Sequence, residues 1–493
     1  MNDDTQPATD TPDVSAEHPV SENWVWVGKH RPPIPRALVE FMTSQWEEIV
    51  VDEGVHPAAF FCAHRRSLLL ETLPATNLII PTGSFKVRSN DTDFRFRPGT
   101  DFFWLTASHE PDGVLLLEAS GEATLFVEVG GDNSSHRFFT DAQYGELWTG
   151  RRPTLAETEG HLGIATRPKD ELTKALAALQ GTTALLRGFD ATLDASYEAQ
   201  EVDTELERVL NELRLVKDAY EVERLEEAVA ATVLGFEDVV RALPAAEGRG
   251  ERVIEGIFNL RARVDGNDVG YSTIAASGSH ATVLHWTRND GAVRRGELLL
   301  LDAGVECHDL YTADVTRTLP ISGTFTPAQL TLYNLVLAAQ EAGIAAVKPG
   351  AKFMAAHEAA MAVLTAGLLE LGILEPQDEE TPLSKQLHRR YTLHGTSHML
   401  GIDVHDCSHA RNEEYLGELR PGYVLTVEPG LYFQPNDLTV PAEYRGIGIR
   451  IEDDVLVTSD GNRVLSNALP RDPAAIEAWM ASIWREGTPD LHL

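Results

Sequence analysis

The segment Leu298-Leu-Leu-Leu-Asp302-Ala-Gly304, followed by Tyr311-Thr-Ala-Asp314-Val-Thr-Arg-Thr-Leu319, decides how the chain is read. An apolar strand runs into Asp302, and a second short strand carries Asp314 near its start. The turn-like stretch from Cys307 to Asp309 between them predicts a hairpin that brings the two carboxylates face to face. Each alone fits an aspartate making a turn at a strand end. As a pair they cost several kcal/mol to desolvate, and a cation is the simplest compensation. Oxygen ligands suit hard or borderline divalent metals.

Three further segments carry the same chemistry. His394-Gly-Thr-Ser-His398-Met-Leu-Gly-Ile-Asp-Val-His405-Asp406 places three histidines within twelve residues. Its glycines and β-branched residues exclude one continuous helix, and no glutamate follows His394, so it is not the helical His-Glu-x-x-His zinc motif. Glu428 ends the apolar run Val424-Leu-Thr-Val427. In Gly446-Ile-Gly-Ile-Arg450-Ile-Glu452, Arg450 and Glu452 are two apart and share one face of a strand. Arg450 is expected to hold Glu452 ionised and aimed, although such a pair is also an ordinary sheet-face salt bridge. Asp302, Asp314, His398, Glu428 and Glu452 together offer four carboxylates and an imidazole, which matches two divalent cations.

Outward from this half, 493 residues imply two domains. Residues 1–22 are polar and proline-rich and read as a disordered acidic tail. Residues 23–216 read as an α/β domain. In it a helix is expected from Pro35 to Val51, short β-rich runs alternate with turns from Phe60 to Leu117, and helical patterns dominate from Glu171 to Leu215. A helical run from Lys217 through Val240 opens the second domain, 217–493. The fold class is α/β (α+β).

Composition bounds the function. The formal charge of -35 argues against nucleic acid or an anionic membrane as partner, and favours cationic peptide N-termini. The three cysteines, Cys62, Cys307 and Cys407, form no Cys-x-x-Cys pair, which suits a reducing cytoplasmic setting. No apolar run reaches the length of a membrane span, and the N-terminus does not read as a signal peptide.

The order of these motifs resembles the pita-bread metallopeptidases, in the aminopeptidase P branch that also contains the prolidases. The resemblance is carried by Leu301-Asp-Ala-Gly304, Asp314-Val-Thr-Arg-Thr318, His394-Gly-Thr-Ser-His398, Asp403-Val-His-Asp406, Val427-Glu-Pro-Gly-Leu-Tyr432 and Tyr444-Arg-Gly-Ile-Gly-Ile-Arg-Ile-Glu-Asp453. Val283-Leu-His-Trp286 resembles an upstream histidine motif, and Asn90 to Arg97, Asp101 to Thr106 and Glu110 to Val114 resemble the N-terminal domain of that branch. The likeness spans about residues 35 to 470. It implies a creatinase/aminopeptidase P-type N-terminal domain, a pita-bread catalytic domain, and hydrolysis of peptides with proline in second position.

Residue by residue, the resemblance implies Asp302 and Asp314 on one metal, His398 and Glu428 on the other, and Asp314 and Glu452 bridging. His285, His394 and His405 would line the substrate side, with His405 stabilising the oxyanion. Glu428 would also shuttle a proton, and Arg450 would support Glu452. The implied cofactor is two divalent ions, manganese by habit of the family, with cobalt or zinc as substitutes, and the implied assembly is a homo-dimer or tetramer. The stretch between Asp302 and Asp314 is one residue longer than in much of the family. A prolidase, a non-catalytic binding relative and a metal-free amidinohydrolase remain alternatives. Ser397 before His398 and the N-terminal motifs favour the aminopeptidase.

Overall fold

The computed structural model describes residues 23–26, 32–47, 49–51, 53–376 and 383–487. The acidic tail read at residues 1–22 lies outside them. The first helix, α1 (Arg36–Thr43), stops well short of Val51. Ser44 is extended and Gln45 adopts φ of 63°, so the amphipathic pattern outlasts the helix that it suggested.

The N-terminal part is a five-stranded sheet with helices around it. Its strands are β1 (Thr76–Pro81), β2 (Val114–Leu117), β3 (Ala123–Val127), β4 (Ala165–Pro168) and β5 (Thr182–Leu185), in the order β4-β3-β2-β1-β5. β1 and β2 are wholly buried, and residues 78–80 and 114–117 in them are apolar, as expected for strands covered on both faces. Two expectations fail here. The run from Phe60 is a helix, α2 (Ala59–Thr72), and β5 lies in a stretch read as helical. In α2 the buried residues Cys62, Arg65, Arg66 and Leu69 follow helical spacing. The two arginines escape an apolar-pattern reading because their heads bond carbonyls, Arg65 to Trp104 O at 3.0 Å and Arg66 to Leu105 O at 2.7 Å. Trp104 and Leu105 lie on α3 (Thr100–Thr106).

Two helices meet next: α4 (Glu201–Arg214) and α5 (Ala219–Ala246), the second opened by a capping box of Asp218 and Glu221. Arg65 reaches Asp218 at 2.7 Å, tying α2 to that cap. α6 (Glu251–Asp265), α7 (Pro327–Ala346), α8 (Ala355–Glu370) and α9 (Pro473–Glu486) complete the larger helices.

They pack around short antiparallel sheets. One holds β6 (Ile274–Ser277), β7 (Leu298–Ala303) and β8 (Val315–Pro320), with β7 central. The others are built from β9 (Val424–Val427), β10 (Gly430–Tyr432), β11 (Gly448–Arg450), β12 (Asp453–Val457) and β13 (Asn462–Val464); β9-β12-β13 form one sheet and β10-β11 another. A bridge between Thr316 and Glu452 joins β8 to the link between β11 and β12. All these strands except β13 are buried throughout, so strand ends deliver side chains into a closed interior.

The expected hairpin forms between β7 and β8, with Asp302 opposite Thr316. The chain reverses between Cys307 and Tyr311, where buried Leu310 takes φ of 67°. Gly304 is required by contact: a Cβ there would sit 1.6 Å from Ala313 O. Gly304→Ala is therefore expected to wedge the hairpin open. It should lower stability by about 1–3 kcal/mol in urea unfolding, and an unchanged midpoint would refute the close-approach argument.

Candidate metal centre and peptide cleft

The hairpin, the histidine loop and the β11–β12 link converge on one point. Among the described residues, Asp314, His398 and Glu452 form a group whose donor atoms all lie within 4.8 Å of one another, the spacing of a metal site. His398 Nε2 lies 3.2 Å from Asp314 and 3.6 Å from Glu428. Its Nδ1–H donates to Met399 O at 3.1 Å, which turns Nε2 toward the carboxylates of Asp314 and Glu428. Asp302 and Glu428 border this group without belonging to it.

Tyr271, which sequence reasoning missed, joins Asp302 to Asp314. Its hydroxyl lies 2.7 Å from Asp302 Oδ1 and 2.5 Å from Asp314 Oδ1. Thr316 was missed too; it lies in β8, two residues after Asp314, which immediately precedes that strand. Its hydroxyl donates to Glu452 Oε2 at 2.6 Å and accepts from Arg450 Nε at 3.2 Å.

Arg450 departs from its expected partner. It ion-pairs with Asp302, not Glu452, and its Nη1 donates to Tyr432 at 3.0 Å. Period-2 alternation put Arg450 and Glu452 on one face, but β11 ends at Arg450 and β12 begins at Asp453. The two side chains therefore serve different sheets, and Thr316 relays between them.

The histidines of the cleft divide by burial. His394 has both ring nitrogens engaged, Nδ1 with Gly395 O and Nε2 with the Tyr432 hydroxyl, each at 2.7 Å. Burial pushes it down to about 3, so it is neutral. His285 and His405 are exposed, and His405 lies edge-on to His398 with centroids 4.4 Å apart. All three line one cavity of about 650 Å³ together with Tyr271 and the five expected ligands.

Electrostatics test the donor set against a cation. Burial raises Asp302, pushes Glu428 to about 7 and lifts Glu452 well above the carboxylate range. Burial opposes the charged form of His398, but the Asp314 hydrogen bond and neighbouring carboxylates win, raising it to about 9. One guanidinium and one imidazole therefore face four carboxylates. These oxygen donors with one nitrogen, whose charged forms burial disfavours, are the set that divalent cations would hold ionised, and the residues fit such a group.

Residues 223–459 match the family described as "Metallopeptidase family M24", and residues 62–186 match "Aminopeptidase P, N-terminal domain". Xaa-Pro aminopeptidase 1 of Streptomyces coelicolor is 52% identical over 461 residues, covering 92% of this chain and 93% of that protein. The chain belongs to metallopeptidase family M24. The Xaa-Pro aminopeptidase of Escherichia coli is 32% identical over 86% of this M24 chain and 97% of its own length. Among solved structures, aminopeptidase P from E. coli with the inhibitor Pro-Leu superposes with a TM-score of 0.76 at 30% identity, covering 87% of this chain and all of that one. The Pseudomonas aeruginosa aminopeptidase PepP gives 0.77 at 32% identity, covering 87% and 99%. The expected two-part fold is thereby borne out.

The relay through Thr316 can be tested directly. Thr316→Val keeps the side-chain shape and leaves Glu452 Oε2 without its donor, a loss of about 1–3 kcal/mol for a buried group. A lower melting temperature and reduced metal retention after dialysis are expected. Wild-type values for both would refute the relay.

Proposed function

We propose that this M24 protein is an Xaa-Pro aminopeptidase, a hydrolase that releases the first residue of peptides with proline second. The observation that carries it is the buried Asp314–His398–Glu452 group, bordered by Asp302 and Glu428, opening on a cleft walled by neutral or exposed histidines. The extent of identity to Xaa-Pro aminopeptidases supports the same reading.

Asp302, Asp314, His398, Glu428 and Glu452 would hold two divalent ions, manganese by preference. Such ions supply Lewis-acid polarisation of the scissile carbonyl and lower the pKa of the attacking water. The substrate's free α-amine would sit beside a metal or an acidic residue, which would confine cleavage to the N-terminus. His405, exposed to the cleft, donates to the developing oxyanion. Glu428 carries a proton to the prolyl nitrogen, which leaves poorly without it. His285 and His394 wall the prolyl ring. His394 does so with a fixed ring, because Tyr432 and Gly395 take its nitrogens.

The division at 216/217, the assembly into dimers or tetramers and a cytoplasmic location belong to the same proposal. The last is supported by three cysteines that are all free and buried. Among the described residues no helix is long and apolar enough to cross a membrane.

Matched substrates test the activity: Ala-Pro-Ala and Ala-Pro, assayed with manganese, should both be informative. Cleavage of the tripeptide is expected, and cleavage of the dipeptide alone would make the protein a prolidase. Metal analysis should find two divalent ions per chain, with chelation abolishing turnover. Glu452→Gln should lose more than about 100-fold in kcat, because Glu452 would help hold the ions on which both nucleophile and Lewis acid depend, and it should cost more than His405→Ala. Near-wild-type turnover of Glu452→Gln would remove Glu452 from the site.

A further inference from the structure

Glu251 is a wholly buried carboxylate that lies outside the metal centre. It is 0% exposed and opens α6, where the helix N-terminus favours a negative charge. Its Oε1 accepts from Ser277 N at 2.7 Å and from His280 Nδ1 at 2.8 Å. Its Oε2 accepts from Trp286 Nε1 at 2.8 Å and from Gly291 N at 2.7 Å. Gly291 O in turn accepts from Glu251 N at 3.0 Å. Every one of these donors to the carboxylate lies in residues 277–291, at the end of β6 and in the loop beyond it.

That loop carries His285, which lines the cleft. After the short helical turn Gly278–Thr282, residues 283–291 lie in neither helix nor strand, so side chains must fix their course. Trp286 is 8% exposed, whereas its neighbour His285 is exposed. Trp286 belongs to an apolar cluster with half-buried Leu284 and with Tyr432, and its ring stacks on His280 with centroids 3.8 Å apart. Further along, buried Asn289 takes φ of 46°, donates to Thr273 O at 2.8 Å and accepts from Ala275 N at 2.9 Å.

We propose that Glu251 is a positioning residue for the prolyl side of the cleft: its carboxylate fixes the 278–291 loop and thereby holds His285 in the wall. The inference rests on the aminopeptidase reading above. The geometry requires an acceptor at both oxygens. Each meets one backbone N–H, Ser277 on one side and Gly291 on the other, and a backbone donor cannot become an acceptor. A carboxylate satisfies both. An amide of the same shape turns its NH2 toward one of them whichever way it is placed, and leaves a buried donor unpaired. Trp286 is the residue after His285, so slack at Glu251 reaches the histidine through a single peptide unit.

The test compares Glu251→Gln, His285→Ala and the double variant on Ala-Pro-Ala, all loaded with manganese. Glu251→Gln should raise KM about tenfold and change kcat by less than about threefold, since the expected metal ligands are untouched. In the His285→Ala background the same substitution should add less than about twofold, because a residue that acts through His285 then has nothing left to place. Losses that multiply in the double variant overturn the proposal. So does a fall in kcat at constant KM, which would make Glu251 a support of the metal centre. Hydrogen exchange of the metal-loaded protein, read by mass spectrometry, follows the loop without turnover. Faster exchange confined to residues 277–291 is expected in Glu251→Gln, and unchanged exchange there overturns the proposal. If Glu251→Gln does not fold, Trp286→Phe removes one donor and keeps an aromatic ring. Its KM should rise about threefold with faster exchange in the same segment, and wild-type values for both overturn the proposal. If the wild-type protein cleaves no Xaa-Pro peptide, the aminopeptidase reading fails, and the exchange measurement alone decides whether Glu251 fixes the loop.

Discussion

Four carboxylates share one buried pocket, and the C-terminal half of the molecule is organised around that constraint. Removing an isolated carboxylate from water costs several kcal/mol, so each must be met by donors or cations. The protein supplies some of these itself. Tyr271 donates to the Asp302–Asp314 pair, Thr316 to Glu452, and Arg450 to Asp302. His398 is held protonation-prone by Asp314. What remains is an oxygen-rich site whose carboxylates burial holds above their usual range, suited to divalent metal and unsuited to an apolar ligand.

The sheets behind the pocket keep those carboxylates from relaxing apart. Arg317 is wholly buried and satisfied on every side. It donates to Glu452 O at 2.6 Å, to Asp453 Oδ1 at 2.8 Å and to the carbonyls of Thr316, Leu469 and Pro470 at 3.0 Å. It thereby clamps the bridge between β8 and the β11–β12 link, where Glu452 sits. A buried ion pair is a poor source of net stability, but its geometry permits few alternatives, which is what a ligand backbone requires.

The N-terminal part reaches into the same region. Asp406, next to His405, is buried and ion-paired with Arg214 at 3.1 Å and Lys217 at 3.6 Å, residues at the junction of α4 and α5. Arg97 meets Glu306 at 2.6 Å and Ile402 O at 2.9 Å. The histidine loop is thus braced by chain that lies 192 residues earlier at Arg214 and 305 residues earlier at Arg97. This explains why an exposed His405 can still hold a defined place over the cleft.

Much of this was legible in the sequence. Apolar strands ending in Asp302 and Glu428, the close-set histidines, and the order of motifs pointed to the hairpin, the ligand inventory and the two-part fold. Those signals are local: a carboxylate at the end of a buried strand is anomalous wherever the strand lies. Local pattern also misled where burial was polar, as with Arg65 and Arg66 in α2, because an arginine stem packs like an apolar residue while its head finds a carbonyl. The tertiary structure alone decided which groups meet. That Arg450 pairs with Asp302 and reaches Glu452 through Thr316, and that Tyr271 joins two aspartates, both depend on strands and loops distant in sequence. Period and spacing specify the face on which a side chain lies. Which partner stands across from it is set by how the sheets pack, and no single segment encodes that.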